Sequence, residues 1–254
     1  MNTSLRPLRS LSNVAVMRSL ILLVSVLLTC WSQWGQTFYH SDFVSEWLRD
    51  RFIQAHASTE PETRITIIDI DETSLATLGA WPWPRKRIAD LLENLLSTYA
   101  AKGIALDLIF PEPADADGDM RLAMLAQHGP IVLAQAFDYE TTRPSSLRIG
   151  KLTGDIPLSN TANSSLASGF IANHAGFAQA RYLGNIGFIP DSDGTIRHLP
   201  TYTAFEGRQY ATLSLALLNC CATPKPMHQR NTHMHRIPFA RDWNAYTVIP
   251  AASI

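Results

Sequence analysis

The chain has 254 residues, 46% of them hydrophobic, which is enough to bury one substantial core. Lys and Arg together number 21 and Asp and Glu together number 22, so the charge is nearly balanced. A nucleic-acid-binding protein needs a concentrated basic face, and this balance gives no sign of one. The composition therefore indicates one main domain and no nucleic-acid partner.

The first 41 residues are basic and then apolar, and the first carboxylate of the chain belongs to Asp42. Three arginines occur in this part of the chain: Arg6, Arg9 and Arg18. The stretch from Ser19 to Trp34 approaches the ~17–20 residues that a helix needs to cross a bilayer. It ends on Trp31 and Trp34, whose indole rings favour the membrane interface. Because basic residues before a span place the N-terminus in the cytoplasm, the rest of the chain is predicted to be exported.

This pattern predicts a basic cytoplasmic segment over 1–18, a transmembrane anchor over 19–36 and an extracytoplasmic domain over 37–254. The predicted location is the inner membrane of a bacterial-type cell, with one N-terminal span and the bulk of the chain in the periplasm. Two alternatives stay open. The apolar segment could be a signal peptide that is removed, although no Ala-x-Ala site ends it. Cys30 could carry a lipid, because residues 27–30 loosely resemble a lipobox.

Hydrophobic patterning after residue 41 predicts alternating helices and strands. Apolar spacing at helical intervals predicts helices over 42–56, 72–78, 85–99 and 119–128. Uninterrupted β-branched and apolar runs predict strands, covered on both faces, over 64–71, 103–110 and 131–137. This alternation predicts an α/β fold with a central, mostly parallel sheet flanked by helices.

The second half of the domain has weaker signals. They predict a long surface excursion over 138–168, strands over 176–180 and 195–202, a helix over 210–220 and a polar loop over 224–235. The chain ends on the apolar segment 248–254, which contains no terminal capping motif and no charged residue. We interpret this segment as the approach to a further element, so that the domain would be incomplete at its C-terminus.

Cysteine and histidine usage predicts neither a disulfide framework nor a metal site, and no cofactor is expected. Cys220 and Cys221 are adjacent, and neighbouring cysteines rarely bridge because disulfides favour Cα atoms ~4.4–6.8 Å apart. They are predicted to be unbridged core residues near a helix end. The histidine cluster lacks a carboxylate or cysteine neighbour to complete a metal site, so we interpret it as part of a solvated loop; it consists of His228, His233 and His235.

Carboxylates follow the first two predicted strands. Asp69 and Asp71 end the first strand, and Asp107 and Glu112 come from the end of the next. Ligands of open α/β sheets bind at the carboxyl ends of the strands, so these four residues are candidates for one acidic rim around a ligand. The alternative for Asp69 and Asp71 is structural, because a carboxylate at that position can cap the next helix.

Three more candidate ligand-binding residues lie just after the short helix that ends near residue 78. Trp81 and Trp83 alternate with prolines and could form an aromatic wall, or a stiff packed corner. Arg85 follows directly and could pair with the acidic rim, or form an ordinary salt bridge. No catalytic residue and no metal ligand is predicted.

Asp69-x-Asp71 after a buried strand also resembles the first motif of haloacid-dehalogenase-type phosphatases. In that chemistry the first Asp attacks phosphorus, the second moves the proton, and carboxylates hold magnesium. It also requires a later lysine and a second acidic pair at strand ends. Lys151 and Lys225 lie in irregular polar segments, so an exported phosphatase is kept only as an alternative.

Four segments together resemble the type-two CHASE domain, an extracytoplasmic sensing domain associated with cyclases and histidine kinases. They are 69–75, 78–85, 103–113 and 191–197, which read DIDETSL, LGAWPWPR, GIALDLIFPEP and DSDGTIR. The resemblance begins near Phe43 and continues to the end of the chain. It implies one preceding membrane helix, several later ones and a cytoplasmic cyclase or kinase output that this chain does not contain.

The resemblance therefore implies a sensory input domain that is not itself an enzyme. It would bind an unknown small-molecule or protein signal, work at a membrane and act as a homodimer. A non-catalytic interaction domain that binds only a protein partner is the other alternative.

Overall fold

The computed structural model describes residues 9–34, 41–140, 146–157, 164–222, 234–236 and 240–254. It divides into two compact units, Met1–Ala57 and Ser58–Ile254.

Among its described residues, the first unit contains two helices, α1 (Arg9–Trp34) and α2 (Ser41–Ala55). Along α1, large apolar side chains from Val16 to Trp31 are exposed. Among the described helices, none combines the length and the apolar character that crossing a membrane requires. The transmembrane anchor over 19–36 therefore stays a prediction. Helix α2 agrees with the helix predicted over 42–56.

The second unit contains thirteen strands and four α-helices among its described residues. The helices are α3 (Glu72–Leu78), α4 (Arg85–Ser97), α5 (Ala116–His128) and α6 (Leu213–Cys221). The first eight strands are β1 (Glu62–Asp69), β2 (Ile104–Leu106), β3 (Ile131–Asp138), β4 (Arg148–Ile149), β5 (Ile156–Pro157), β6 (Ser165–Leu166), β7 (Gly169–Ile171) and β8 (Tyr182–Asn185). The last five are β9 (His198–Pro200), β10 (Tyr202–Phe205), β11 (Arg208–Ala211), β12 (Met234–Arg236) and β13 (Tyr246–Pro250).

The centre of the unit is β3, which pairs in parallel with β2 and β8. It is buried along most of its length, which explains its uninterrupted apolar sequence. Helices α4 and α5 pack with β2 and β3 in the larger hydrophobic cluster. Helix α6 contacts the same sheet, and a Cβ on Gly184 of β8 would meet its first residue, Leu213. The mixed α/β architecture confirms the predicted fold class in this part of the chain.

The position of β1 differs from the prediction. Instead of joining the sheet of β2 and β3, β1 pairs in parallel with β13, so that Asp69 lies opposite Pro250. Ile65 and Thr66 of β1 are exposed, so this strand is not covered on both faces as its β-branched run suggested. The segment 248–254 forms the end of β13 and a short 3-10 helix over Ala251–Ser253, and the further element expected after it stays a prediction.

The irregular half of the unit forms a second sheet of short strands, in the order β5-β11-β10-β6. The predicted surface excursion over 138–168 thus contains three short strands, β4, β5 and β6. The strand predicted over 176–180 is wrong, because a 3-10 helix occupies Ala175–Phe177. The strand predicted over 195–202 corresponds to two strands, β9 and β10, which together span 198–205.

The prediction of unbridged cysteines is also wrong, because a disulfide joins Cys220 to Cys221. The expectation rested on Cα spacing, and the Cα atoms here are only 3.7 Å apart. The bond closes at the last two positions of α6, where the backbone changes from helical to extended at Ala222.

Candidate functional site

Asp71 serves as the N-cap of α3. Its carboxylate accepts a hydrogen bond from the backbone N–H of Ser74 at 2.8 Å. The side chain and the backbone N–H of Ser74 together lower the pKa of Asp71 below the ordinary aspartate value. Asp69, at the end of β1, is exposed. The capping alternative therefore describes Asp71, as expected for an acidic residue before a helix.

The two tryptophans have different environments. Trp83 is 2% exposed, and its Nε1–H donates to the carbonyl of Gly79 at 2.7 Å. Trp81 is 42% exposed and its ring centroid lies 6.0 Å from that of Trp83. Trp83 is thus part of a packed corner, whereas Trp81 presents an aromatic surface to solvent.

The four predicted rim carboxylates end strands of two different sheets. Asp69 and Asp71 follow β1, which pairs with β13, whereas Asp107 and Glu112 follow β2. Asp107 and Glu112 are exposed. The backbone carbonyl of Glu112 accepts a long hydrogen bond, 3.4 Å, from the guanidinium of Arg85. Of the predicted site residues, the structure thus brings Arg85 and Glu112 together.

Arg85 is part of a buried group of charged side chains with Asp119 and His174, called the charged cluster below. The Nε of Arg85 lies 3.3 Å from Oδ1 of Asp119, and Nε2 of His174 lies 3.6 Å from Oδ2 of Asp119. Their side chains are only 11–13% exposed. The guanidinium also lies 4.2 Å from the ring centroid of Phe110, a cation–π distance.

Local sequence explains why the ends of two helices meet here. Pro84 precedes α4 at the N-cap position but cannot cap the helix, since its side chain makes no capping hydrogen bond. Asp115, just before α5, supplies the cap from outside, accepting from the N–H of Arg85 at 2.7 Å and from that of Lys86 at 3.0 Å. Burial raises the pKa of Asp115, but these two backbone N–H groups outweigh it, and the net pKa is lowered. Gly118 permits the contact, because a Cβ there would collide with Asp115 and with the backbone of Lys86.

The charged cluster has unused hydrogen-bonding capacity. Arg85 Nε, Asp119 Oδ1 and His174 Nε2 are buried and have no hydrogen-bond partner in the part of the chain that the structure describes. The other oxygen of Asp119 accepts from the N–H of Ala114 at 2.7 Å. Nδ1 of His174 accepts from the N–H of Gly176, so a neutral imidazole carries its proton on Nε2, facing Asp119. The cluster can therefore bind a polar group or respond to a change of charge.

Sequence reasoning identified Arg85 but missed Asp119 and His174. Asp119 is the last acidic residue of the run DADGD, which gives no sign that one member is buried. His174 is isolated in the sequence and lies 55 positions after Asp119. Only the packing of α5 against the segment 172–177 brings the two together, and no local signal could have shown this.

The motif over 191–197 forms a turn held by buried Arg197. Its guanidinium contacts Asp191 at 3.0 Å and Asp193 at 2.7 Å, and His198 Nδ1 lies 3.0 Å from Asp191. The Arg197 side chain holds the pKa of Asp193 well below its ordinary value. Burial raises the pKa of Asp191, but the bonds from Arg197 and His198 lower it overall. This motif therefore has a structural role.

Within the described ranges, no group of three or more His, Cys, Asp or Glu side chains is close enough to hold a metal ion. His228, His233 and Lys225 lie outside the described residues.

The fold and the site describe a mixed α/β domain with a buried, incompletely bonded group of charges. A family model described as the CHASE2 domain matches residues 20–252. The chain therefore belongs to the CHASE2 family, whose members are extracytoplasmic, sensory and non-catalytic domains. No curated protein matches this chain. No solved structure matches it either.

Proposed function

We propose that this chain is the sensory input part of a bacterial transmembrane receptor. Its second unit would bind a signal outside the cytoplasm and pass it to a cyclase or kinase in the cytoplasm. The observation that carries this proposal is the CHASE2 match, which extends over 20–252 and so includes residues 20–34 of helix α1 as well as nearly all of the second unit.

Helix α1 is the proposed membrane anchor. Apolar side chains are exposed at five consecutive positions, 20–24, and three more at 26–28. Successive residues of a helix are about 100° apart, so these side chains cover its whole circumference. A helix that is apolar on all sides needs lipid or other helices around it. The basic residues Arg9 and Arg18 would keep its first turns on the cytoplasmic side.

The charged cluster is the proposed signal-responsive element. It joins the first residue of α4, the first turn of α5 and the segment before the 3-10 helix at 175–177. Buried charges are stable only when paired, so a ligand or proton that changes one pair favours a different arrangement of the three segments. Trp81 and Glu112 are exposed and lie close in sequence to members of the charged cluster. They stay candidate ligand contacts.

Transmission would occur through a change in the arrangement of two α1 helices in a homodimer. Cys30, a free and exposed cysteine of α1, reports on that arrangement. In membranes that contain the full chain, oxidation should link two copies through Cys30, and Cys30→Ser should remove the linked dimer. The variant His174→Gln removes the imidazole that faces Asp119 and should change the linking rate at least twofold.

His128→Gln is the matched control, because His128 is exposed at the end of α5. It should link at the rate of the unchanged protein. If His174→Gln and His128→Gln both link at the unchanged rate, the cluster does not communicate with α1. If no dimer forms through Cys30 under any condition, the helices do not pair as proposed.

A further inference from the structure

Gln135 lies in the middle of β3 and is fully buried, at 0% exposure. Neither Nε2 nor Oε1 of its side chain has a hydrogen-bond partner among the residues that the structure describes. A primary amide can donate two hydrogen bonds and accept two. Because native interiors rarely leave such a group unpaired, a hydrogen-bonding partner outside the described residues is expected beside it.

The position of Gln135 along β3 separates two hydrophobic clusters. Ile131 and Leu133 belong to the larger cluster with α4 and α5, and Phe137 belongs to the second cluster. Alternate residues of a strand share a face, so Gln135 lies on the same face, between the two clusters. The polar side chain therefore interrupts an otherwise apolar surface.

A short segment crosses this face of the sheet. It comprises residues 150–154 and is called the strap below. At one end, the N–H of Lys151 donates to the carbonyl of Asn173 at 2.7 Å. At the other end, a Cβ on Gly154 would lie 2.9 Å from Cβ of Leu183, on β8.

The two ends of the strap lie on opposite sides of β3. Asn173 binds one edge, where its Nδ2 donates to the carbonyl of Ala134 at 2.9 Å. Leu183 pairs across the other edge, opposite Leu133. The strap must therefore pass over β3 at the level of residues 133–135, which places it above Gln135.

Thr153 lies on the crossing part of the strap, and its Oγ1 is also buried without a partner among the described residues. The neighbouring amides, in contrast, have hydrogen-bond partners. Asn173 accepts from the N–H of Phe110 at 2.8 Å, and Asn185 accepts from that of Gly187 at 2.7 Å. Gln135 and Thr153 thus both have unused hydrogen-bonding capacity.

We propose that Gln135 and Thr153 form a binding site, between β3 and the strap, for a small uncharged molecule that carries an adjacent donor and acceptor, such as a primary carboxamide. The two unpartnered side chains are an amide and a hydroxyl, and Leu133 and Phe137 on the same face of β3 are apolar, so these four side chains offer a charged ligand no counter-charge for its lost hydration. A carboxamide is complementary to another carboxamide, because each offers one donor beside one acceptor.

The conformation of the strap depends on its two terminal glycines. Gly150 and Gly154, at its two ends, have φ values of 81° and 79°, in the left-handed region that favours glycine. The segments that flank it, β4 and β5, are two residues each. Binding at this site is testable whether or not the domain signals.

Acetamide is the probe, measured by saturation-transfer NMR on the full chain in detergent micelles, with acetone as the control compound that lacks a donor. The unchanged protein should bind acetamide in preference to acetone. Gln135→Met keeps the side-chain volume and removes both polar atoms, and it should weaken acetamide binding about tenfold or more. Thr153→Val should weaken it less, by a few-fold.

Gln127→Met is the matched control, because Gln127 is exposed on α5; it should bind acetamide as the unchanged protein does. Equal binding by Gln135→Met and Gln127→Met would overturn the proposal. So would the absence of acetamide binding by the unchanged protein, in which case ordered water alone satisfies the amide. If Gln135→Met fails to fold, Thr153→Val and the preference for acetamide over acetone decide the question.

Discussion

Replacing Asp119 by Asn removes the central negative charge of the charged cluster while preserving the shape of the side chain. Arg85 is then left 89% buried, at a side-chain exposure of 11%, without its counter-charge. Removing one partner of a buried ion pair typically costs ~3–5 kcal/mol, because the remaining charge stays desolvated. The Arg85–Asp119 contact at 3.3 Å lacks hydrogen-bond geometry, so we expect a value near the lower limit, about 3 kcal/mol.

The assay is thermal unfolding of the full chain in detergent, followed by the fluorescence of its tryptophans. Asp117→Asn is the matched control, because Asp117 lies in the same turn of α5 and is exposed. A loss of 3 kcal/mol corresponds to a Tm about 6–12 °C lower for a domain of this size. The control should stay within about 0.5 kcal/mol of the unchanged protein.

A double variant separates loss of the pair from loss of packing. The double variant Arg85→Met/Asp119→Leu removes both charges and retains apolar volume. Its loss of stability should be smaller than the sum of the losses caused by Arg85→Met alone and Asp119→Leu alone. The reasoning is refuted if Asp119→Asn is as stable as Asp117→Asn. It is also refuted if the stability lost by the double variant equals the sum lost by the two single variants, because then the two charges would not interact.

Two further changes test the packing of the second unit. Gly118→Ala should destabilise it by about 3 kcal/mol, because the added methyl collides with the carboxylate that caps α4; Gly207→Ala, which has open space around it, should cost only about 1 kcal/mol, from its positive φ. Hydrogen bonds from Arg64 lower the pKa of Glu62 to about 2. The contribution of ionised Glu62 to the stability of the fold is therefore complete above pH ~4.5 and is lost as the pH falls toward 2. Glu62→Gln should therefore speed amide hydrogen exchange in β13 at pH 7 but make little difference near pH 2, whereas Glu60→Gln should not change that exchange at either pH.

Local patterns in the sequence were sufficient to predict the elements around the central sheet. The uninterrupted apolar run of β3 and the helical spacing in α4 follow directly from burial, and α3, α4 and α5 lie where they were predicted to within a few residues. The family was recognisable for the same reason, because its motifs are dense and continuous between residues 69 and 113.

Features that depend on distant parts of the chain were not predictable. Strand β1 pairs with β13, about 180 positions later, and a β-branched run alone does not show which strand will lie beside it. The disulfide between Cys220 and Cys221 was not predictable either. The usual Cα–Cα distances of disulfides describe the common case and do not decide whether a particular pair of neighbouring cysteines is bridged.

The candidate site was predicted in part. Arg85 was identified because it follows a rigid corner, and its contact with Asp119 is the ordinary salt bridge that was the alternative to pairing with the acidic rim. Asp71 caps α3, as the structural alternative for that side chain predicted, since capping depends only on neighbouring residues; its role as a ligand contact stays a prediction. Asp119 and His174 were missed because their burial results from tertiary packing alone.

The most direct test of the account is the location of the second unit in a living cell. Alkaline phosphatase, which is active only after export, can be fused after Ile254 and the full chain expressed in a bacterium. The account predicts an active, membrane-bound fusion, and loss of activity when residues 9–34 are deleted. An inactive phosphatase, together with an active β-galactosidase at the same fusion point, would place the unit in the cytoplasm and contradict an extracytoplasmic sensor.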